Sequence, residues 1–104
     1  MASDNTEPCY VISIAARMVG VQTYTLRYYE KLGIIEPSRS KGKIRLYSER
    51  DIAQLRRVKT LMDDLGVNLA GIQVILRMAQ RIAELQHHVE ELKAKLENLT
   101  QSQL

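Results

Sequence analysis

Eight apolar residues in the C-terminal third constrain the fold more than any other feature of the sequence. Ile75, Ile82, Val89 and Leu96 recur every seven positions, and Met78, Leu85, Leu92 and Leu99 repeat with the same period three places later. Four successive heptads therefore have both their a and d slots filled by apolar side chains. A strict 3.5-residue period draws a stripe too narrow to wall a globular core, so the stripe needs a second helix patterned in the same way. With 104 residues there is room for one compact domain and one extended element, and no second heptad segment is present. The eight residues are accordingly expected to form a dimerisation seam with another copy of the chain, along a rod of roughly 37 Å at about 1.5 Å per residue. Core volume argues the same way, because the only aromatics are five tyrosines and small domains often stabilise themselves by association.

Flanking charges leave the strand orientation open. Arg81, His88 and Lys95 at g and Gln86 and Lys93 at e are all basic or neutral, so no attractive cross-pair selects parallel or antiparallel. Glu91 and Lys95 are spaced for an intrahelical pair worth about 0.2 to 0.5 kcal/mol. His87 and His88 are adjacent and point in different directions, as solvated residues rather than a metal pair.

Upstream, two short helices flank a tight turn. Ser13 is placed to cap the first, in which Ile14, Ala15, Met18 and Val19 supply the apolar face and Gly20 the stop. The second runs from Gln22 or Thr23 to Leu32, and Gly33 sits where a C-terminal glycine belongs. This is a helix-turn-helix pattern, in which the second helix enters the major groove of DNA. On that helix Thr23, Tyr24, Arg27 and Tyr28 recur at spacings of one, three and four, so they share a face, while Leu26 and Tyr29 lean toward the body. Arginine can bond a guanine or a phosphate bidentately, and tyrosine can combine a phosphate hydrogen bond with apolar contact to sugar or a thymine methyl. The plainer reading of either ring is cover for a small core.

Pro37 blocks further helix, and the segment 38–47 alternates small, basic and apolar residues around Gly42, which predicts a two-stranded wing with glycine at its tip. Ser48 and Asp51 form a capping-box pattern ahead of a third helix over 49–65. Gly66 stops that helix, and Asn68 can cap the next, which offers Leu69, Ile72, Ile75 and Leu76 as its apolar face.

Charge follows this division. Between Val11 and Lys59 there are eleven basic and four acidic residues, and Arg39, Lys41, Lys43 and Arg45 come without an acid among them. A basic run is often only solvated surface, but beside a helix-turn-helix it is an electrostatic footprint for phosphate. Catalytic constellations are missing: there is no phosphate-binding glycine loop, no ligand cluster, and no nucleophile with a base and an orienter. Neither an enzyme nor a cofactor or metal is expected. A single cysteine, Cys9, cannot form an internal disulfide. No apolar run approaches the roughly 18 residues of a membrane span, which together with the polar start points to the cytoplasm. The expected organisation is mostly α: a flexible tail over 1–9, a winged helix-turn-helix DNA-binding domain over 10–78, and a coiled-coil dimerisation helix and tail over 79–104.

The run Ser13-Ile14-Ala15-Ala16-Arg17-Met18-Val19-Gly20-Val21, the motif Thr25-Leu26-Arg27-Tyr28-Tyr29-Glu30-Lys31-Leu32-Gly33-Ile34-Ile35 and the wing sequence Arg45-Leu46-Tyr47-Ser48-Glu49-Arg50-Asp51-Ile52 resemble the DNA-binding domain of the mercury-resistance-regulator (MerR) family. Within it, Tyr10-Val11-Ile12-Ser13-Ile14-Ala15-Ala16-Arg17 and Gly66-Val67-Asn68-Leu69-Ala70-Gly71-Ile72 are most similar to heat-shock repressors of chaperone operons. The resemblance implies a bacterial repressor, bound to double-stranded DNA at an inverted repeat as a homodimer through an antiparallel coiled coil, and assisted by a chaperone co-repressor of the Hsp70 class. It implies that Ser13 and Arg17 touch phosphates and that Tyr24, Arg27 and Tyr28 approach the groove. Arg45 and Tyr47 would hold the wing against the duplex, and Tyr29 would either join them or brace the fold. With Thr23, Lys41 and Lys43 these make up the expected DNA-binding set. Inducer-sensing relatives add cysteines or a further domain. Here five residues follow Leu99 and Cys9 is remote from the coil, so no small-molecule effector pocket is expected. The rival readings are an activator that untwists promoter DNA, a coiled-coil adaptor for an acidic protein, and an architectural factor that bends DNA.

Overall fold

A computed structural model of the chain describes residues 5–103. The elements run β1 (Pro8–Val11), α1 (Ile12–Val19), α2 (Thr23–Lys31), β2 (Ser38–Arg39), β3 (Arg45–Ser48), α3 (Glu49–Asp63) and α4 (Leu69–Ser102). They fall into two compact units, one ending at Gln73 and the other beginning at Val74.

In the first unit α1 packs on α2, on α3 and on β1 and β3. Its core contains Ala15, Leu26, Ile34, Ile35, Tyr47, Ile52, Leu55, Val58 and Ile72, all buried. Helix ends follow local chemistry. At the start of α3 the Ser48 hydroxyl accepts from the Asp51 amide at 3.1 Å while the Asp51 carboxylate accepts from the Ser48 amide at 2.9 Å, a reciprocal capping box. At the end of α2, Ile34 N–H donates to the Tyr29 carbonyl and Gly33 N–H to that of Glu30. Gly33, at φ 76°, takes the left-handed conformation this Schellman closure needs. Asn68 Oδ1 accepts from the Gly71 amide at 2.8 Å and so caps α4.

Four expectations need correction. The wing is one side of a three-stranded antiparallel sheet of order β1-β3-β2, not an isolated hairpin. Its extra strand takes residues from the expected loose tail: Pro8 pairs with Ser48, Tyr10 with Tyr47 and Val11 with Leu46, with a bulge between Pro8 and Tyr10. The Asn5 carbonyl also accepts the Arg50 amide, one of the free N–H groups in the first turn of α3. Order here comes from backbone groups finding distant partners, and the rest of the expected tail, residues 1–4, lies outside the described residues. Second, the N-cap of α1 is Val11, with no side-chain bond, so Ser13 lies inside the helix; strand β1 runs straight into α1 and sets its start. Third, α3 ends at Asp63, two residues before Leu65.

The fourth concerns the wing tip. Lys43 N–H donates to the Ser40 carbonyl at 2.8 Å across Lys41 and Gly42, and the residue with positive φ is Lys43, at 62°, not Gly42. A turn followed by a left-handed residue is the bulged hairpin closure, where glycine is ordinarily favoured. Lys43→Gly is expected to raise stability by about 0.5 to 1 kcal/mol, the relief of a left-handed side chain less the entropy glycine adds to the unfolded chain. Urea denaturation measures it, and a lower midpoint would contradict the assignment.

The first unit ends at Gln73. Ile72 is the buried residue of α4, and the Gln73 side chain donates to the Leu32 carbonyl at 2.9 Å. In the second unit the stripe from Ile75 to Leu99 is exposed at every a and d position, from 36% at Ile75 to 65% at Leu96. Along that helix Glu91 pairs back to His87 at 2.7 Å, in place of the expected Lys95.

Candidate nucleic-acid interface

The reading face of α2 is built by its own periodicity. Leu26 and Tyr29 point into the core, 0% and 8% exposed, which turns Tyr24, Arg27 and Tyr28 to solvent and leaves Thr23 half-buried at their edge. Tyr24 is 69% exposed and Tyr28 50%, so two phenols flank one guanidinium on a single face, one able to donate to phosphate and the other to lie against sugar or a thymine methyl. Ser13 and Arg17 are exposed on α1, and Lys41 and Lys43 at the wing tip.

Tyr29 does not belong to this set. Its hydroxyl donates to Met62 Sδ at 3.4 Å, tying α2 to α3, and burial, helped by Asp63, pushes its pKa up. Of the two roles left open for it, the structure selects bracing.

Tyr47 is likewise corrected: its ring is fully buried and, among the described residues, its hydroxyl has no hydrogen-bond partner. The reason is register. Tyr47 faces Tyr10 across β1 and β3, in the central strand of the sheet, so its side chain belongs to the core. Burial, then the nearby Glu30, raises its pKa against the opposing effect of Arg45. A buried, unpaired hydroxyl loses its hydration with nothing in return. Tyr47→Phe is therefore expected to stabilise the domain by about 1 kcal/mol and to leave DNA affinity unchanged. A melting series with a parallel binding titration checks both, and a clear loss of affinity would return Tyr47 to the interface.

Arg45 is half-buried, and what it holds is the recognition helix. Its Nε donates to Glu30 Oε1 at 2.5 Å, and Arg39 Nη2 donates to Glu30 Oε2 at 2.8 Å. Glu30 was not among the expected site residues. The available signal was its isolation, as the one acid between Glu7 and Glu36. Arg45, then Arg39, holds the Glu30 carboxyl below the usual carboxylate range. Because the folded pKa is lowered, this contribution to stability is complete above the ordinary carboxylate range and is lost as the pH falls through the lowered value.

A helix-turn-helix whose second helix presents an exposed arginine and two phenols, beside a short antiparallel sheet ending in lysines, is a winged helix-turn-helix DNA-binding domain. Residues 10–79 match the profile of the MerR HTH family regulatory proteins. The chain belongs to that family. It is 48% identical over 90 residues to a Streptomyces coelicolor protein bearing the heat-shock name HspR, a match covering 86% of this chain and 60% of that protein. It is 35% identical over 86 residues to the HTH-type transcriptional regulator GlnR of Bacillus anthracis, covering 83% of this chain and 66% of GlnR. The chain thus spans about three-fifths to two-thirds of the length of these relatives. Among solved structures, HiNmlR, a MerR family regulator lacking the sensor domain and bound to promoter DNA, has the same fold, with a TM-score of 0.62 at 22% identity over 88% of this chain and 76% of that one.

Among the described residues there is no cluster of three or more histidines, cysteines or acids that could hold a metal. No helix there is long and apolar enough to cross a membrane.

Proposed function

We propose that the protein is a homodimeric, sequence-specific transcription regulator that represses a heat-shock or chaperone operon by occupying an inverted-repeat operator. The observation that carries this is the solvent face of α2, where Tyr24, Arg27 and Tyr28 stand together and unburied, beside exposed wing lysines. Two such faces, joined through the α4 stripe, would read two half-sites. The second half-site then binds at high effective concentration. The likeness to a protein with a heat-shock name supports a stress operon as the target; in this proposal a chaperone of the Hsp70 class is the partner that carries the signal. Ser13, Arg17, Thr23, Lys41, Lys43 and Arg45 supply phosphate contacts in this reading, and Arg27 reads a base.

The test is a binding titration on a duplex selected by the protein from random sequence, against a scrambled duplex. Arg27→Ala should weaken the selected duplex by about 1 to 3 kcal/mol and relax the preference at one base position. An equal loss on both duplexes would move Arg27 to phosphate. A wild-type protein indifferent to sequence would refute the function. Affinity should also fall steeply with salt, by several powers of ten over roughly a tenfold range for about six phosphate contacts.

A further inference from the structure

We infer that Glu30 is the positioning residue of the wing: one carboxylate on the recognition helix grips an arginine from each wing strand and so sets the distance between the two DNA-reading elements. The inference rests on the DNA-binding reading above and adds a residue to it that bears the wrong charge to touch DNA.

Register makes the case. Arg39 on β2 and Arg45 on β3 are directly paired across the strands, and like charges at facing positions push a two-stranded ribbon apart. β2 is two residues long, too short to hold against that repulsion by ladder bonds alone. Glu30 comes from a different element and places one oxygen on each guanidinium, at 2.5 Å to Arg45 Nε and 2.8 Å to Arg39 Nη2. The same Arg39 reaches on with Nη1 to the Lys43 carbonyl at 3.4 Å, so the grip extends to the tip residue in the left-handed conformation. The Glu30 side chain is 22% exposed and that of Arg45 29%, which shields this pair from solvent better than a surface ion pair.

The geometry also explains why an acid is tolerated in a phosphate-binding face. Arg45 is engaged through Nε, and its two Nη groups have no protein partner among the described residues, so they remain for a phosphate oxygen. A duplex is then met by a helix and a wing already at fixed separation, and the ordering of the wing does not have to come out of the binding free energy. Sequences whose groove geometry departs from that separation are penalised, which makes Glu30 a determinant of specificity.

A simple repelling charge and a positioning residue predict opposite signs. In Glu30→Gln the domain gains one unit of positive charge in nearly the same volume. On a scrambled duplex the variant should bind about two- to fivefold more tightly, through long-range attraction. On the duplex selected by the wild type it should bind about tenfold or more weakly, so the preference collapses from both sides. Without DNA, hydrogen exchange at the Ser40 and Lys43 amides, both bonded within the wing, should accelerate several-fold while the Ile34 amide at the end of α2 stays protected. Arg39→Gln, which removes one arm of the grip and the bond to the Lys43 carbonyl together with the facing like charge, should accelerate wing exchange less than Glu30→Gln does, because no repulsion is left unbalanced. If Glu30→Gln tightens both duplexes alike, or leaves the preference and the wing exchange unchanged, the inference is overturned while the function stands. A wild-type protein with no sequence preference, by contrast, would remove the function, and unchanged wing exchange in both variants would still overturn the positioning role.

Discussion

Leu85→Glu is expected to convert the protein to a monomer and to weaken operator binding by about 10² to 10⁴, the loss of a linked second half-site. Leu85 occupies a d position in the middle of the α4 stripe and is 46% exposed in the single chain, a state that a leucine in a paired seam leaves on association. Burying it is worth about 1.5 to 3 kcal/mol per side chain. The substitution removes that gain twice in a symmetric dimer and sets two carboxylates into the apolar seam, where no basic a or d residue is available to pair with them. Sedimentation equilibrium would report the mass, and fluorescence anisotropy on the selected duplex the affinity. A variant that stays dimeric, with affinity within a few-fold of wild type, would refute the seam. The first unit should keep its melting behaviour, since its core lies in residues before Val74.

The second large effect belongs to the core. Ile52→Ala should destabilise the first unit by about 2 to 5 kcal/mol, the lost transfer energy plus the cavity left behind. Ile52 is fully buried in the first turn of α3, directly after the capping box, where the helix is pinned and cannot slide to fill the gap. Domains of this size are stable by about 5 to 15 kcal/mol, so the variant would lose a large share of its stability. Urea denaturation should show a lower midpoint at an unchanged slope, while Arg27→Ala, on the solvent face, should leave that midpoint where it was. A loss below about 1 kcal/mol for Ile52→Ala would mean that this part of the core relaxes freely.

Signals carried by neighbouring residues were legible without coordinates. The capping box needs only Ser48 and Asp51 three positions apart, and both bonds are present. Gly20, Gly33 and Gly66 mark the ends of three helices, and each has positive φ. The heptad stripe and the reading face of α2 are periodicities, and a helix converts period into direction without help from the rest of the chain. Where the reading went astray, two distant segments were involved. Periodicity alone turned Tyr29 toward the body, but its second role at the DNA face stayed open until Met62 on another helix was seen to take its hydroxyl. Tyr47 reads as a wing residue until β1 pairs beside it. Lys43 occupies a position that glycine would suit, one residue after the glycine that drew attention to the turn.

The existence and order of the helices, the solvent face of α2, the basic wing and the apolar stripe along α4 were thus set by residue order, because each depends on interactions within a few positions of the chain. The third strand, the bond of Tyr29 to Met62, the burial of Tyr47, and the grip of Glu30 on Arg39 and Arg45 were settled by packing. Those contacts join residues 9 to 40 positions apart, and pairs across such loops are made only where tertiary packing offsets the entropy of closing them, which no local preference records.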